Sequence, residues 1–205
     1  MRWTFAVRVL LLSVVLTTAG HGADFAEGFY AYSEGNYETA LGIWQPLAEE
    51  GDADSQFGMG LLHANGWGVP LDDAAALRWY ELAADQGHAE AQYNIGVMYQ
   101  NGWGVEPNDQ EAFKWHRLAA ESGFSAAQRS LGSMYAYGLG TEVDRSQAYM
   151  WFEIAAMLGD RDANFNREEL EPAMQADEIA AASDLAEQWL DKFAAQHPEV
   201  PIDRE

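Results

Sequence analysis

The chain has no cysteine among its 205 residues. That removes disulfides, thiol nucleophiles, thiolate-held metals and lipidation at a cysteine, and it leaves the redox compartment open. Basic residues are scarce too: 11 Lys and Arg stand against 33 Asp and Glu, a formal net charge of -22. A field of that sign repels phosphate backbones and anionic lipid, so neither nucleic acid nor a membrane surface is an expected partner. The same charge keeps a protein dispersed whatever it binds, so it names no partner by itself.

Catalytic signatures are missing as well. There is no zinc-type histidine pair at helical spacing, no G-x-S-x-G elbow and no phosphate-binding loop, and neither Lys114 nor Lys192 has a serine three residues upstream. Asp160, Asp162, Asn164 and Glu171 fall at positions 1, 3, 5 and 12 of a calcium loop, but Phe165 stands where that loop needs glycine. The reading is therefore of no enzyme, no metal site and no cofactor.

Long apolar runs are limited to Val9–Leu16, VLLLSVVL, behind Arg2 and Arg8 and ahead of small residues through Ala23. This order is that of a secretory signal peptide over residues 1–23, cut between Ala19 and Ala23, and it predicts an exported protein, periplasmic or secreted. The run is too short to span a bilayer, so no stable membrane insertion is expected after cleavage.

What the sequence has in abundance is glycine in register. Gly51, Gly87, Gly123 and Gly159 recur every 36 residues, as do Gly60, Gly96 and Gly132, then Gly66, Gly102 and Gly138, then Gly68, Gly104 and Gly140. Trp79, Trp115 and Trp151 keep the same step, and so do Ala84, Ala120 and Ala156. Coincident registers of this kind define a tandem array.

Each unit reads as two helices. In the middle unit the first spans Ala89–Asn101, with Ala91, Ile95, Met98 and Tyr99 on its apolar face; Gly102-Trp103-Gly104 breaks it. Asn108 is placed to cap the second helix, whose core face is expected to carry Ala112, Trp115, Leu118 and Ala119. Gly96, inside the first helix, costs ~1 kcal/mol relative to alanine. Its return in every unit predicts a contact too close for a side chain. His63 and His116 occupy the register of aromatic residues and read as packing positions.

The segment Ala89–Gly123, AEAQYNIGVMYQNGWGVEPNDQEAFKWHRLAAESG, resembles the Sel-one-like repeat (SLR) family, a branch of the tetratricopeptide-type solenoids. Residues 52–87 and 124–159 match in the same register, with Thr141 in place of Val69 and Val105. The resemblance implies an all-α superhelix of stacked helix-turn-helix repeats. Residues 24–51 are a variant unit, since Gly28, Ala40 and Gly51 repeat the roles of Gly60, Ala76 and Gly87 with a shorter turn at Gly35-Asn36. Pro46 raises the prospect of a kink. Residues 160–196 are expected to form capping helices, with Ile179, Ala182, Ala186, Trp189 and Phe193 on one face, ahead of a flexible tail, 197–205.

Solenoids of this type bind along the face lined by the first helix of each pair. Carried over, that face predicts partner contacts at Phe57, Leu61, Tyr93, Val97, Gln100, Asn101, Arg129, Ser133 and Tyr137. The expected function is a non-catalytic interaction scaffold of the bacterial cell envelope that binds another protein or peptide. The alternative is an envelope assembly factor in polysaccharide export or cell-wall maintenance.

Overall fold

The computed structural model describes residues 21–200 and Ile202. The signal peptide expected over residues 1–23 thus falls outside the described residues except for its last three. Ten α-helices follow in order: α1 (His21–Ser33), α2 (Tyr37–Glu49), α3 (Ala53–Asn65), α4 (Asp73–Ala84), α5 (Ala89–Asn101), α6 (Asp109–Glu121), α7 (Ser125–Tyr137), α8 (Arg145–Met157), α9 (Arg161–Leu170) and α10 (Ala176–Gln196). A short 3-10 turn, Glu171–Ala173, joins the last two. There is no strand among the described residues, and from α1 to α9 each helix packs on its neighbours in sequence. The protein is an all-α solenoid.

Local chemistry sets the helix boundaries. Asp52, Asp72, Asn108, Asp144 and Asp160 each accept a hydrogen bond from a backbone N–H in the first turn of the helix that follows. His88 does the same through Nδ1, which accepts from the Ala91 amide at 3.2 Å. First helices end at Gly66, Gly102 and Gly138 in the left-handed conformation. The long turns then fold back: the amides of Asp72, Asn108 and Asp144 donate to the carbonyls of His63, Tyr99 and Tyr135. Pro46 sits inside α2 without ending it.

The in-register glycines have distinct reasons. A Cβ on Gly96 would lie 2.7 Å from Cε1 of His116, and one on Gly132 would lie 2.6 Å from Cδ1 of Phe152. Gly60 faces Tyr80 and Gly28 faces Trp44 in the same way. Each unit is therefore locked by an aromatic ring of its second helix seated on a glycine of its first. The second glycine of each G-x-G turn is needed for another contact. A Cβ on Gly104 would meet the Asp73 carbonyl at 2.6 Å, so each turn rests on the backbone that begins the preceding unit's second helix. By contrast Gly42, helical and exposed in α2, has no atom within 4 Å of an added Cβ. Gly42→Ala is expected to stabilise the fold by about 0.5–1 kcal/mol, read as a raised thermal midpoint.

A buried polar ladder joins successive units. Gln56, Gln92 and Gln128 donate through Nε2 to the carbonyls of Ala48, Ala84 and Ala120 at 3.1, 3.3 and 3.1 Å. Each bond ties a first helix to the end of the preceding second helix, and burial leaves water little chance to replace it.

The two ends depart from the repeat. In α1, Tyr30 holds the register of Leu62, Met98 and Met134 but is exposed, because no preceding unit lies against it among the described residues. At the other end α9 begins a further unit, whereas α10 does not pair with it as a second helix. Both pack on α8. Ala182, Ala186, Leu190 and Phe193 are buried there, with Ile179 and Trp189 partly so. Glu168 takes the register of Gly132, and no ring of a second helix sits over it. Beyond α10, Ile202 packs against this same core, so part of the tail is docked.

Candidate functional site

The nine residues expected on the first-helix face divide into two groups. Phe57, Tyr93 and Arg129 share one register position, and each engages the residue that caps the next first helix. Phe57 is only 9% exposed and stacks on His88, with ring centroids 4.6 Å apart. Tyr93 is half-buried, edge-on to Phe124 at 5.2 Å and tilted against His116 at 5.3 Å. Arg129 donates through Nε to Asp160 Oδ2 at 2.9 Å. Burial works against the Arg129 charge, but the hydrogen bond and charge of Asp160 outweigh it and hold the guanidinium pKa above its usual value. These three are unit-to-unit couplers; Phe57 is buried in that contact, whereas Tyr93 and Arg129 keep part of their surface open. The same bond occupies Asp160, whose other oxygen caps α9 at Ala163.

Gln100 is also committed inward. Its Oε1 lies 3.1 Å from Nε2 of His116, a ring with no exposed surface. Burial pushes the His116 pKa down to about 4. His116 is thus a neutral packing residue, as its register implies.

The remaining five stay on open surface. Leu61, Val97 and Ser133 share one register and are half-buried, while Asn101 and Tyr137 share another and are exposed. Ser133 Oγ donates to the Arg129 carbonyl, and Asn101 Nδ2 donates to the Val97 carbonyl at 2.7 Å. Asn65 repeats the Asn101 contact on Leu61. Both asparagines keep a side-chain oxygen as a free-standing acceptor. Tyr137 is 76% exposed, the largest apolar surface on this face. Along the array the Leu61 register runs Phe29, Leu61, Val97, Ser133, Glu169, so the stripe grades from apolar at α1 to charged at α9.

The 36-residue period, the glycine–aromatic lock and the glutamine ladder together recur in three complete units. Sequence comparison matches the Sel1 repeat to residues 53–88, 89–124 and 125–160, one residue later than the units read from the glycines. The chain belongs to the Sel1 repeat family. Among solved structures it is similar to a Sel1 repeat protein from Oxalobacter formigenes, at 36% identity and a TM-score of 0.59, over 63% of this chain and 97% of that one. It is also similar to c5321, described as a protective antigen present in uropathogenic Escherichia coli strains and displaying an SLR fold. That match has 30% identity and a TM-score of 0.53, and covers 86% of this chain and 47% of the other. No curated protein matches the chain. Sel1 repeat proteins generally serve as scaffolds for binding other proteins. Among the described residues no helix is long and apolar enough to cross a membrane.

The sequence reading missed the couplers' role and the glutamine ladder. A signal for the ladder was present: Gln56, Gln92 and Gln128 recur at the repeat step inside the first helices. A polar residue returning there needs a buried partner. The structure also corrects Leu118, expected in the core of α6 and found 42% exposed.

Proposed function

We propose that this Sel1 repeat protein is an exported, non-catalytic scaffold of the bacterial envelope that holds a segment of another protein along its first-helix stripe. The observation that supports this most is the set of side chains left over once packing is satisfied. Leu61, Val97, Asn101, Ser133 and Tyr137 recur at the repeat step on successive helices and combine apolar surface with amide and hydroxyl groups. That mixture suits an extended segment, whose side chains take the apolar surface while its backbone takes the hydrogen bonds. An exposed tyrosine such as Tyr137 supplies apolar area and a polar tip at small entropic cost. The grade from Phe29 to Glu169 gives the segment a direction, its apolar part lying toward α1. Export rests on the Val9–Leu16 run and the small residues after it.

The test is a paired substitution measured against a partner purified with the mature protein. Tyr137→Ala with Val97→Asp is expected to weaken binding by about tenfold or more while leaving the far-ultraviolet helical signal intact. Unchanged affinity in that double variant rules out the stripe. Arg129→Ala serves as a contrast. It is expected to raise amide exchange in α9, because α9 loses its tie to α7, without removing the partner.

A further inference from the structure

We propose that the outer face of α4 and α6 is a second docking surface, and that its occupant is an acidic amphipathic helix with two aromatic residues four positions apart. The observation behind this is α10, which shows how a helix sits on one second helix of the array, α8. Trp189 packs edge-on to Trp151 with ring centroids 5.7 Å apart. Phe193, one turn on, covers Gly123 so closely that any Cβ there would collide with its ring. Beneath α10, Met150 and Ile154 of α8 are buried.

The same seat recurs one unit earlier without a helix on it. Trp115 takes the register of Trp151 and is half-buried, and Leu118 takes that of Ile154 and is exposed. Gly87 takes that of Gly123, and nothing lies within 4 Å of the place its Cβ would occupy. One unit earlier again, Trp79, Leu82 and Gly51 repeat the set, with Leu82 exposed and Gly51 open. An arrangement that buries apolar surface in one unit is thus presented twice more, open to solvent.

The charge of the occupant follows from what differs between the seats. Where α8 has Met150 and Glu153, α6 has Lys114 and Arg117, whereas α4 has Arg78 in the Met150 register and Glu81 in that of Glu153, so the cationic seat is that of α6. Lys114 and Arg117 pair with Glu111 and Glu121 of their own helix, at 2.6 and 3.7 Å, and all three cations are exposed. In a chain with three times as many acids as bases, cations flanking a solvent-facing leucine favour a helix with acidic flanks. The helix already seated has that character: Asp177, Glu178, Asp184, Glu187 and Asp191 are exposed on α10. This surface lies on the second helices and is independent of the first-helix stripe.

The test uses a fluorescein-labelled synthetic peptide with the sequence of residues 175–196, titrated with the protein and followed by anisotropy. Saturable binding is expected. Leu118→Asp and Lys114→Glu should each weaken it by about tenfold or more, and alanine in place of both aromatic residues of the peptide should abolish it. Val97→Asp with Tyr137→Ala should leave it unchanged. Because Leu118 and Lys114 are exposed, both variants are expected to keep the parent's helical signal. Two results overturn the proposal: no saturable binding, or binding that ignores Leu118→Asp, which would mean the peptide has exchanged with α10 on α8.

Discussion

Gly96→Leu is expected to destabilise the array by about 3 kcal/mol or more and to lower its thermal midpoint by roughly 10 °C. The Cβ alone would lie 2.7–2.9 Å from three atoms of the His116 ring, and that ring has no exposed surface through which to retreat. It is further held by Gln100 on one edge and by the tilted ring of Tyr93. Relief requires α5 and α6 to separate, which strips the core shared by Ala91, Ile95 and Met98. Differential scanning calorimetry checks this, with Gly42→Ala as the substitution expected to go the other way. A midpoint unchanged in Gly96→Leu would show that the glycine–aromatic lock does not hold the unit together.

Stability that falls on acidification through His116 is the second large effect expected. Its folded pKa, about 4, lies below the ordinary 6.5 because burial disfavours the charged ring. Between those values the unfolded chain binds a proton that the folded chain refuses. The His116 contribution is therefore fully retained above pH 6.5 and lost progressively as pH falls toward 4. The gap corresponds to about 3 kcal/mol. The geometry agrees. Nε2 faces the Gln100 oxygen and so carries the hydrogen, leaving Nδ1 as the site to be protonated, and Nδ1 has no hydrogen-bond partner in the fold. Denaturant unfolding from pH 7.5 to 4 measures the effect as the difference between parent and His116→Phe, since the many carboxylates titrate in both. Phenylalanine fills this register in the next unit as Phe152, so the variant should fold and lose this part of the pH dependence. Identical pH slopes in the two proteins would show that His116 is not the group responsible.

How far the sequence reveals the fold follows from what a period can encode. The 36-residue step of the glycines fixes the two-helix unit, the helix ends and the number of complete units. The reason for Gly96 was half-visible, since Tyr80, His116 and Phe152 recur in one register. Only coordinates show that the ring lands on the glycine. The pairing spans 20 residues in complete units and 16 from Gly28 to Trp44, and that difference equals the four-residue shortening of the first turn.

The candidate site was less legible. A first helix in a solenoid divides its circumference among its own partner helix, the units before and after it, and solvent. Periodicity says which residues share a face, whereas it does not say how deep that face lies. Phe57 and Arg129 share a face with Leu61 and Ser133, yet their neighbours at His88 and Asp160 turn them into couplers. The seat of α10 left a trace that can be read by aligning the second helices. Met150, Ile154 and Met157 replace Lys114, Leu118 and Glu121, which gives α8 an additional apolar face that α6 lacks.

Whether a partner lies along the first-helix stripe is read out by site-specific photocrosslinking in the cell envelope. A photoreactive residue is placed singly at Val97, Asn101, Ser133 and Tyr137, and for comparison at Gln86 and Glu187, exposed positions off the stripe. One crosslinked protein shared by the four stripe positions is expected, joined through contiguous residues of that protein in the order set by the repeats. Crosslinks that arise from Gln86 or Glu187 and not from the stripe would contradict it.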